Sequence, residues 1–272
     1  MKLPVLVFDL ETALDLKSGA ALHGLTQLDE ANQYQALTKL RRQDTGSDFQ
    51  RLPLHQIICI SGLWIDEKGM RLFSFSQQDN TELELLEKFL SIFNKRHPVL
   101  VSWNGLQFDL PVILYRTMYH GLTAPNLFDQ GELDYQRRFN NYQNRYHQQH
   151  IDLMDVMAMF NGRNFQKLDD IARFLGFPGQ PAYQRQNTMA EDLSSSDWQE
   201  LSVGCERTVI NTWLIYLRWM RLKGHLVPDQ HDIQIQSTVD LLHQHPQHIN
   251  FLADWKKNAQ HTAFTAQIFK DE

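Results

Sequence analysis

Leu3-Pro4-Val5-Leu6-Val7-Phe8-Asp9-Leu10-Glu11-Thr12 is the stretch on which the fold turns. Leu3 to Phe8 is a short apolar run with β-branched valines at 5 and 7, the pattern of a strand buried on both faces. The run stops at an acid, and a second acid follows two residues later. Alternate side chains of a strand share a face, so Asp9 and Glu11 point the same way. Two carboxylates on one face at the end of a core strand are costly unless a positive partner meets them. The nearest lysine or arginine along the chain is Lys17, in a different segment. A divalent cation is the natural counter-charge, because Mg²⁺ takes oxygen ligands and commonly uses one or two carboxylates plus substrate phosphate. Taken alone, the motif reads equally well as a solvated surface turn.

Working outward, residues 15–51 are polar and helix-prone and end in the loop-like Asp44-Thr45-Gly46-Ser47-Asp48. Ile57 to Ile65 and Met70 to Phe75 read as strands joined by Asp66-Glu67-Lys68-Gly69, a hairpin. Thr81 with Glu84 forms a capping box for a helix carrying Leu83, Leu86, Phe89, Leu90 and Phe93. Val99 to Trp103 is another strand, and Leu110 to Tyr119 a helix with Pro111 in its first turn. Residues 122–149 are expected to be irregular. His150 to Leu153 closes a last strand, and Leu168, Ile171, Ala172 and Leu175 mark a helix ended by Gly176. Ser196 with Gln199 is a second capping box, opening a helix that runs to Gly224. This order predicts an α/β fold, a mixed sheet of one antiparallel hairpin plus parallel strands, flanked by helices. Residues 1–225 form the domain, and 226–272 a helical extension rich in His and Gln without a clear core of its own.

The chain has 272 residues, 42% of them hydrophobic, enough for a substantial core. No stretch approaches the roughly 20 apolar residues needed to cross a bilayer, and the start lacks the apolar run of a signal peptide. Cys59 and Cys205 are too few for a disulfide framework and read as reduced core residues. A cytoplasmic protein without a membrane partner is expected. The net charge of −6 speaks against non-specific coating of nucleic acid, but not against an enzyme that grips a few phosphates through metal.

A second acidic motif, Ser102-Trp103-Asn104-Gly105-Leu106-Gln107-Phe108-Asp109, follows the 99–103 strand and opens a helix. Asn-Gly makes a tight turn, and Asp109 then lies near the positive end of the helix dipole. An ordinary N-cap is the plain alternative. Combined with the first motif, Asp109 adds a third carboxylate on a neighbouring strand end, a set suited to metal ions gripping a scissile phosphate.

Phe8-Asp9-Leu10-Glu11-Thr12, then Trp103-Asn104-Gly105 with Phe108-Asp109, then His150-x-Asp152-Leu-Met-Asp155 resemble the DEDD-type 3′–5′ exonuclease superfamily. The resemblance is to its stand-alone bacterial branch, similar to the proofreading domain of family B DNA polymerases. Gln43 to Phe49 and Asn211 to Arg218 also look like that branch, so the resemblance covers roughly residues 3–225. It implies a ribonuclease H-like fold, Mg²⁺ or Mn²⁺ as cofactor, and removal of nucleotides from single-stranded 3′ ends, DNA more than RNA. By the same resemblance Asp9, Glu11 and Asp109 are catalytic metal ligands, and Leu10, Thr12, Asn104 and Phe108 contact substrate, Asn104 seating the terminal nucleotide.

The family's third motif, Tyr-x-x-x-Asp on a helix, is degenerate. Aligned through Asn211 to Arg218, its two positions are Gly204 and Thr208. Glu206 lies two residues before Thr208, about 200° around a helix, and faces away unless the helix breaks there, as Gly204 would allow, or is shifted in register. Asp197, Glu200, Glu191 and Asp192 are the other acids nearby. Three functions therefore compete: a working exonuclease, a nucleic-acid-binding module with little or no hydrolysis, and a protein-interaction domain.

Other features read first as structural. His147/His150 and His243/His245/His248 have spacings that suit a soft metal. Trp103, Phe108 and Tyr115 could stack on bases, and Arg41-Arg42 and Arg137-Arg138 could meet phosphates. Asp152 caps the helix after it.

Overall fold

The computed structural model describes residues 4–180 and 193–269. Its centre is a five-stranded sheet of order β3-β2-β1-β4-β5. The strands are β1 (Val5–Leu14), β2 (His55–Asp66), β3 (Gly69–Ser76), β4 (Val99–Ser102) and β5 (His150–Asp152). β1–β2 and β2–β3 are antiparallel, whereas β1–β4 and β4–β5 are parallel. This is the mixed sheet expected, with the hairpin turning between Asp66 and Gly69. Asp66 holds that turn by accepting from Trp64 Nε1 and the Lys68 amide.

β1 is longer than its apolar run. Its pairing with β2 continues past Phe8 to Leu14↔His55, with a register shift between Glu11 and Thr12. Asp9 and Glu11 therefore lie inside the central strand, beside an irregularity of the kind that re-aims side chains near functional sites. β4 pairs with β1 only from Val5 to Val7. The C-terminal half of β1 is thus flanked by β2 on one side and, on the other, by the turn that follows β4.

The helices in chain order are α1 (Leu16–His23), α2 (Glu30–Thr45), α3 (Glu82–Lys95), α4 (Asp109–Tyr119), α5 (Pro125–Phe128), α6 (Leu153–Met157), α7 (Leu168–Phe174), α8 (Ser195–Leu222), α9 (Pro228–His243) and α10 (Ile249–Ala259). The alternation along β1 sorts them into two layers. Leu6, Phe8 and Leu10 pack with Leu86, Phe89 and Phe93 of α3 and Val112 and Ile113 of α4. Val5 and Val7 pack with Trp213, Leu214 and Leu217 of α8 on the opposite face.

The polar 15–51 stretch divides into two helices at Gly24, whose φ of 66° ends α1 in the left-handed conformation. The Thr81–Glu84 capping box forms. The second box is made by Ser194 and Asp197 rather than Ser196 and Gln199; Ser194 is the residue with extended φ/ψ, and only there can the hydroxyl reach the N3 amide. Residues 226–269 have no separate core because they complete the main one: Ile235, Val239 and Leu242 of α9 and Phe251 and Trp255 of α10 join Trp213 and Val5. Each helix is polar outside and apolar on one face, too short a run to read as a core without knowing what it meets. No helix among the described residues is long and apolar enough to cross a membrane.

Candidate functional site

The site lies where β1 outruns β4. Asn104 takes a left-handed turn, φ 71°, a conformation Asn tolerates better than most residues. Gly105 follows because a Cβ there would stand 2.2 Å from Ser102 Oγ. Asp152, at the end of β5, fastens this turn: Oδ1 accepts from the Asn104 amide at 2.9 Å and Oδ2 from the Leu106 amide at 3.0 Å. Oδ1 also accepts from Met154 as the cap of α6. The cap read from the sequence is present, and the same carboxylate positions the second acidic motif. That role was invisible in the sequence because it depends on β5 lying beside β4.

The turn delivers Asp109 to the first position of α4, where Phe108, not Asp109, is the N-cap and no side chain caps the helix. Asp109 is buried and its Oδ1 has no hydrogen-bond partner. Burial, then the charges of Asp152 and Glu11, push its carboxyl up to about 8, while the Asp109 and Leu10 amides pull the other way. Asp9 is driven well above the usual carboxylate range by burial, by Asp109 and by Glu11. Asp9, Glu11 and Asp109, far apart in sequence, therefore share one electrostatic neighbourhood. Carboxylates that raise one another's pKa in a buried place are the environment that a divalent cation relieves, and the bare Oδ1 of Asp109 is a free ligand atom. In this respect the residues fit Mg²⁺ or Mn²⁺. Among the described residues, however, no three His, Cys, Asp or Glu side chains are gathered closely enough to cage an ion by themselves, so phosphate or water oxygens would have to complete the shell.

The apolar pattern around Cys205 predicts a core residue. It is core, packed with Ala13, Cys59 and Trp198, yet its Sγ also lies 3.6 Å from Asp9 Oδ2. Burial and the neighbouring Cys59 push this thiol up, so it faces Asp9 as a neutral donor. α8 thus approaches Asp9 through the residue next to Gly204.

The four residues expected at the substrate divide. Asn104 keeps a buried, unpartnered Oδ1, an acceptor with nothing in the protein to satisfy it. Thr12 Oγ1 meets His55 Nδ1 at 3.0 Å. Phe108 packs edge-on against His55, with ring centroids 5.1 Å apart, and against Phe49, 5.7 Å away. Leu10 packs into the α3/α4 core on the face of β1 opposite Asp9 and Glu11.

α8 runs unbroken through Gly204. Glu206 is engaged over β3 rather than at Asp9: its carboxylate accepts from Ser74 Oγ at 2.8 Å and lies 2.8 Å from His248 Nε2. Thr208 Oγ1 accepts from Gln180 Nε2 at 2.7 Å. A Cβ on Gly204 would meet nothing within 4 Å. Asp197 is engaged in the Ser194 box and Glu200 is exposed; Glu191 and Asp192 lie outside the described residues.

The other expected contacts are largely occupied. Arg41 donates to Phe49 O and Arg42 pairs with Asp48. Arg137 is buried over Tyr142. His150 Nε2 is 2.7 Å from Ser102 Oγ, His147 Nδ1 accepts from the Asn141 amide, and His248 holds Glu206. Neither histidine group assembles a soft-metal site among the described residues.

A DNA polymerase from Pyrococcus glycovorans is 30% identical over 100 residues, 34% of this chain and 12% of the polymerase. The structure of the family B DNA polymerase from the hyperthermophilic archaeon Pyrobaculum calidifontis superposes with a TM-score of 0.49 at 14% identity, covering 78% of this chain and 24% of that one. The chain thus spans about an eighth and about a quarter of these two proteins. A family described as predicted 3′–5′ exonucleases related to the exonuclease domain of PolB matches residues 47–259, well over half of the sequence. On that match the chain belongs to this family of PolB-related, 3′–5′ exonuclease-like proteins.

Proposed function

We propose that this chain binds single-stranded 3′ ends, DNA in preference to RNA, with Asp9, Glu11 and Asp109 holding a divalent cation, and removes the terminal nucleotide slowly. The observation that carries this reading is the Asp109 carboxylate, buried, unpartnered at Oδ1, and raised together with Asp9. A protein that had abandoned the site would have no reason to keep this destabilising arrangement. The bound ion would supply the counter-charge for these carboxylates and for the scissile phosphate. Asp152 holds the turn that sets Asp109 and Asn104 in place, and the spare acceptor of Asn104 suits a hydroxyl or amide donor of the terminal nucleotide. Phe108 offers an aromatic face beside it.

Slow turnover follows from α8. The family motif has Tyr and Asp at the positions of Gly204 and Thr208, and Glu206 is committed to His248 and Ser74. One missing group that orients or stabilises at a reacting phosphate commonly costs several kcal/mol of barrier. The same observation favours a second reading, a module that recognises ends without hydrolysis.

The deciding experiment incubates the purified protein with a 3′-overhang oligonucleotide and Mn²⁺ or Mg²⁺, beside Asp9→Ala. Laddering from the 3′ end that disappears in the variant supports the exonuclease. Equal inertness with retained strand binding supports the end-binding module. Inertness with no salt-dependent strand binding would sink both and leave the interaction domain.

A further inference from the structure

A second cluster of charge lies at the other end of α8. Arg218 is ten residues beyond Thr208 on the same helix, roughly 15 Å along its axis, and opens with Arg221 into a cavity of about 500 Å³. Leu175, Ile215, Trp219 and Phe264 supply the apolar walls. Both guanidinium groups stack on Phe264, 3.9 Å and 4.6 Å from the ring centroid.

Among the described residues the cluster has too little negative charge. Arg218 donates through Nη2 to Thr265 Oγ1 at 3.0 Å, while its buried Nε has no partner. Among the described residues no carboxylate stands within ion-pair distance of Arg218. His231, 1% exposed, packs its ring against Phe264 and leaves Nε2 without a partner. Among the described residues Asp232 alone answers this group; it meets His231 Nδ1 at 2.9 Å and Arg221 only at 4.0 Å, and its side chain is 71% exposed. Burial and the neighbouring Arg221 press the Arg218 guanidinium down to about 10, as expected for a cation lacking its counter-ion. Cation–π contact offsets part of that cost, but a ring face cannot use the in-plane N–H donors, which match a carboxylate or phosphate.

We propose that this cavity is a binding site for a small anionic ligand with an apolar or aromatic body, its carboxylate or phosphate held by Arg218 and Arg221 and its body against Leu175, Ile215 and Trp219. The volume is that of small-molecule pockets in general, which combine apolar walls with a few fixed polar groups. The site is separate from Asp9, Glu11 and Asp109 and does not depend on nuclease activity. An aliphatic acid and a nucleoside monophosphate share the required chemistry.

Calorimetric titration of the whole chain, in EDTA, decides it. The probes are dodecanoate and dAMP, with inorganic phosphate as headgroup alone and dodecanol as body alone. At least one of the two composite anions is expected to bind saturably, tenfold or more tighter than either control. Arg218→Gln is expected to weaken it tenfold or more. Met157→Trp, which narrows the cavity and leaves both arginines intact, is expected to weaken it likewise while the melting profile stays cooperative. Tighter dodecanoate identifies an aliphatic acid as the occupant; tighter dAMP identifies a nucleotide. The proposal is overturned if neither anion binds saturably, if dodecanol binds as well as dodecanoate, or if binding is unchanged in both variants.

Discussion

His248 Nε2 lies 2.8 Å from Glu206 Oε2, where α8 passes over β3. This contact commits Glu206 to His248 and ties the start of α10 to the middle of α8. Although burial pushes the Glu206 carboxyl up, hydrogen bonds from His248 and Ser74 hold it below its usual range. Glu206→Gln should therefore cost about 1–3 kcal/mol of stability in urea unfolding, with the loss present above the ordinary glutamate pKa and fading as pH falls. Cleavage or strand binding per folded molecule should be unchanged. A selective loss of cleavage would place Glu206 in the site after all.

Gly204 has open space where a side chain would project, and Thr208 sits one turn further along α8. Gly204→Tyr combined with Thr208→Asp should raise 3′-end cleavage by on the order of 10²–10³, the usual worth of one restored stabilising group. Gly204→Ala alone should stabilise the helix by about 0.5–1 kcal/mol with no change in cleavage. Timed laddering on a 3′-overhang strand measures the first, and denaturant midpoints the second.

Asp109 is held near 8 by burial and by Asp152 and Glu11. A carboxyl raised in the folded state contributes stability that is fully present below its unfolded pKa and lost as pH rises through the folded value. Asp109→Asn should therefore raise the melting temperature of the metal-free protein at pH 7–8, with the gap closing near pH 4. Mg²⁺ or Mn²⁺ should raise the melting temperature of the wild type and leave the variant unmoved. A variant less stable than wild type at pH 8 in EDTA would contradict the buried repulsion.

His150 is pushed down to about 3 by burial, so unfolding takes up a proton between the ordinary histidine pKa and that value. Its contribution is intact above about pH 6.5 and is lost as pH falls toward 3, at up to about 1.4 kcal/mol per pH unit. His150→Gln should flatten this acid limb. Urea midpoints measured from pH 4 to pH 7 report the slope.

Arg116 is buried between Glu82 and Asp15 and donates to both. Glu82 in turn accepts from the Ile57 amide of β2, so the network joins the end of β1 to β2, α3 and α4. Arg116→Met leaves two buried carboxylates without their cation and should cost about 3–5 kcal/mol, read as a lower denaturant midpoint. Replacing Glu82 and Asp15 by Gln and Asn in the same chain should recover part of that loss.

Much of the local structure could be read along the chain. The unbroken apolar run of β1, the hairpin between Asp66 and Gly69, the Thr81 box and the Asn104-Gly105 turn are local patterns. Each is set by side-chain period or backbone conformation within a few residues, and each was legible in one dimension. Asp9, Glu11 and Asp109 stood out as acids at the ends of apolar runs, and their electrostatic coupling appeared only in three dimensions. What each acid faces emerged from packing in three dimensions. Asp152 proved to fasten the Asn104 turn because β5 lies beside β4, Cys205 to meet Asp9 because α8 crosses the sheet at that point, and Glu206 to be claimed by a histidine 42 residues away. The helices after 225 gained a core only where α8 and β3 offered them one. Strand and helix period depend on neighbours in sequence, whereas burial, charge pairing and the loss of water around a carboxylate depend on neighbours in space.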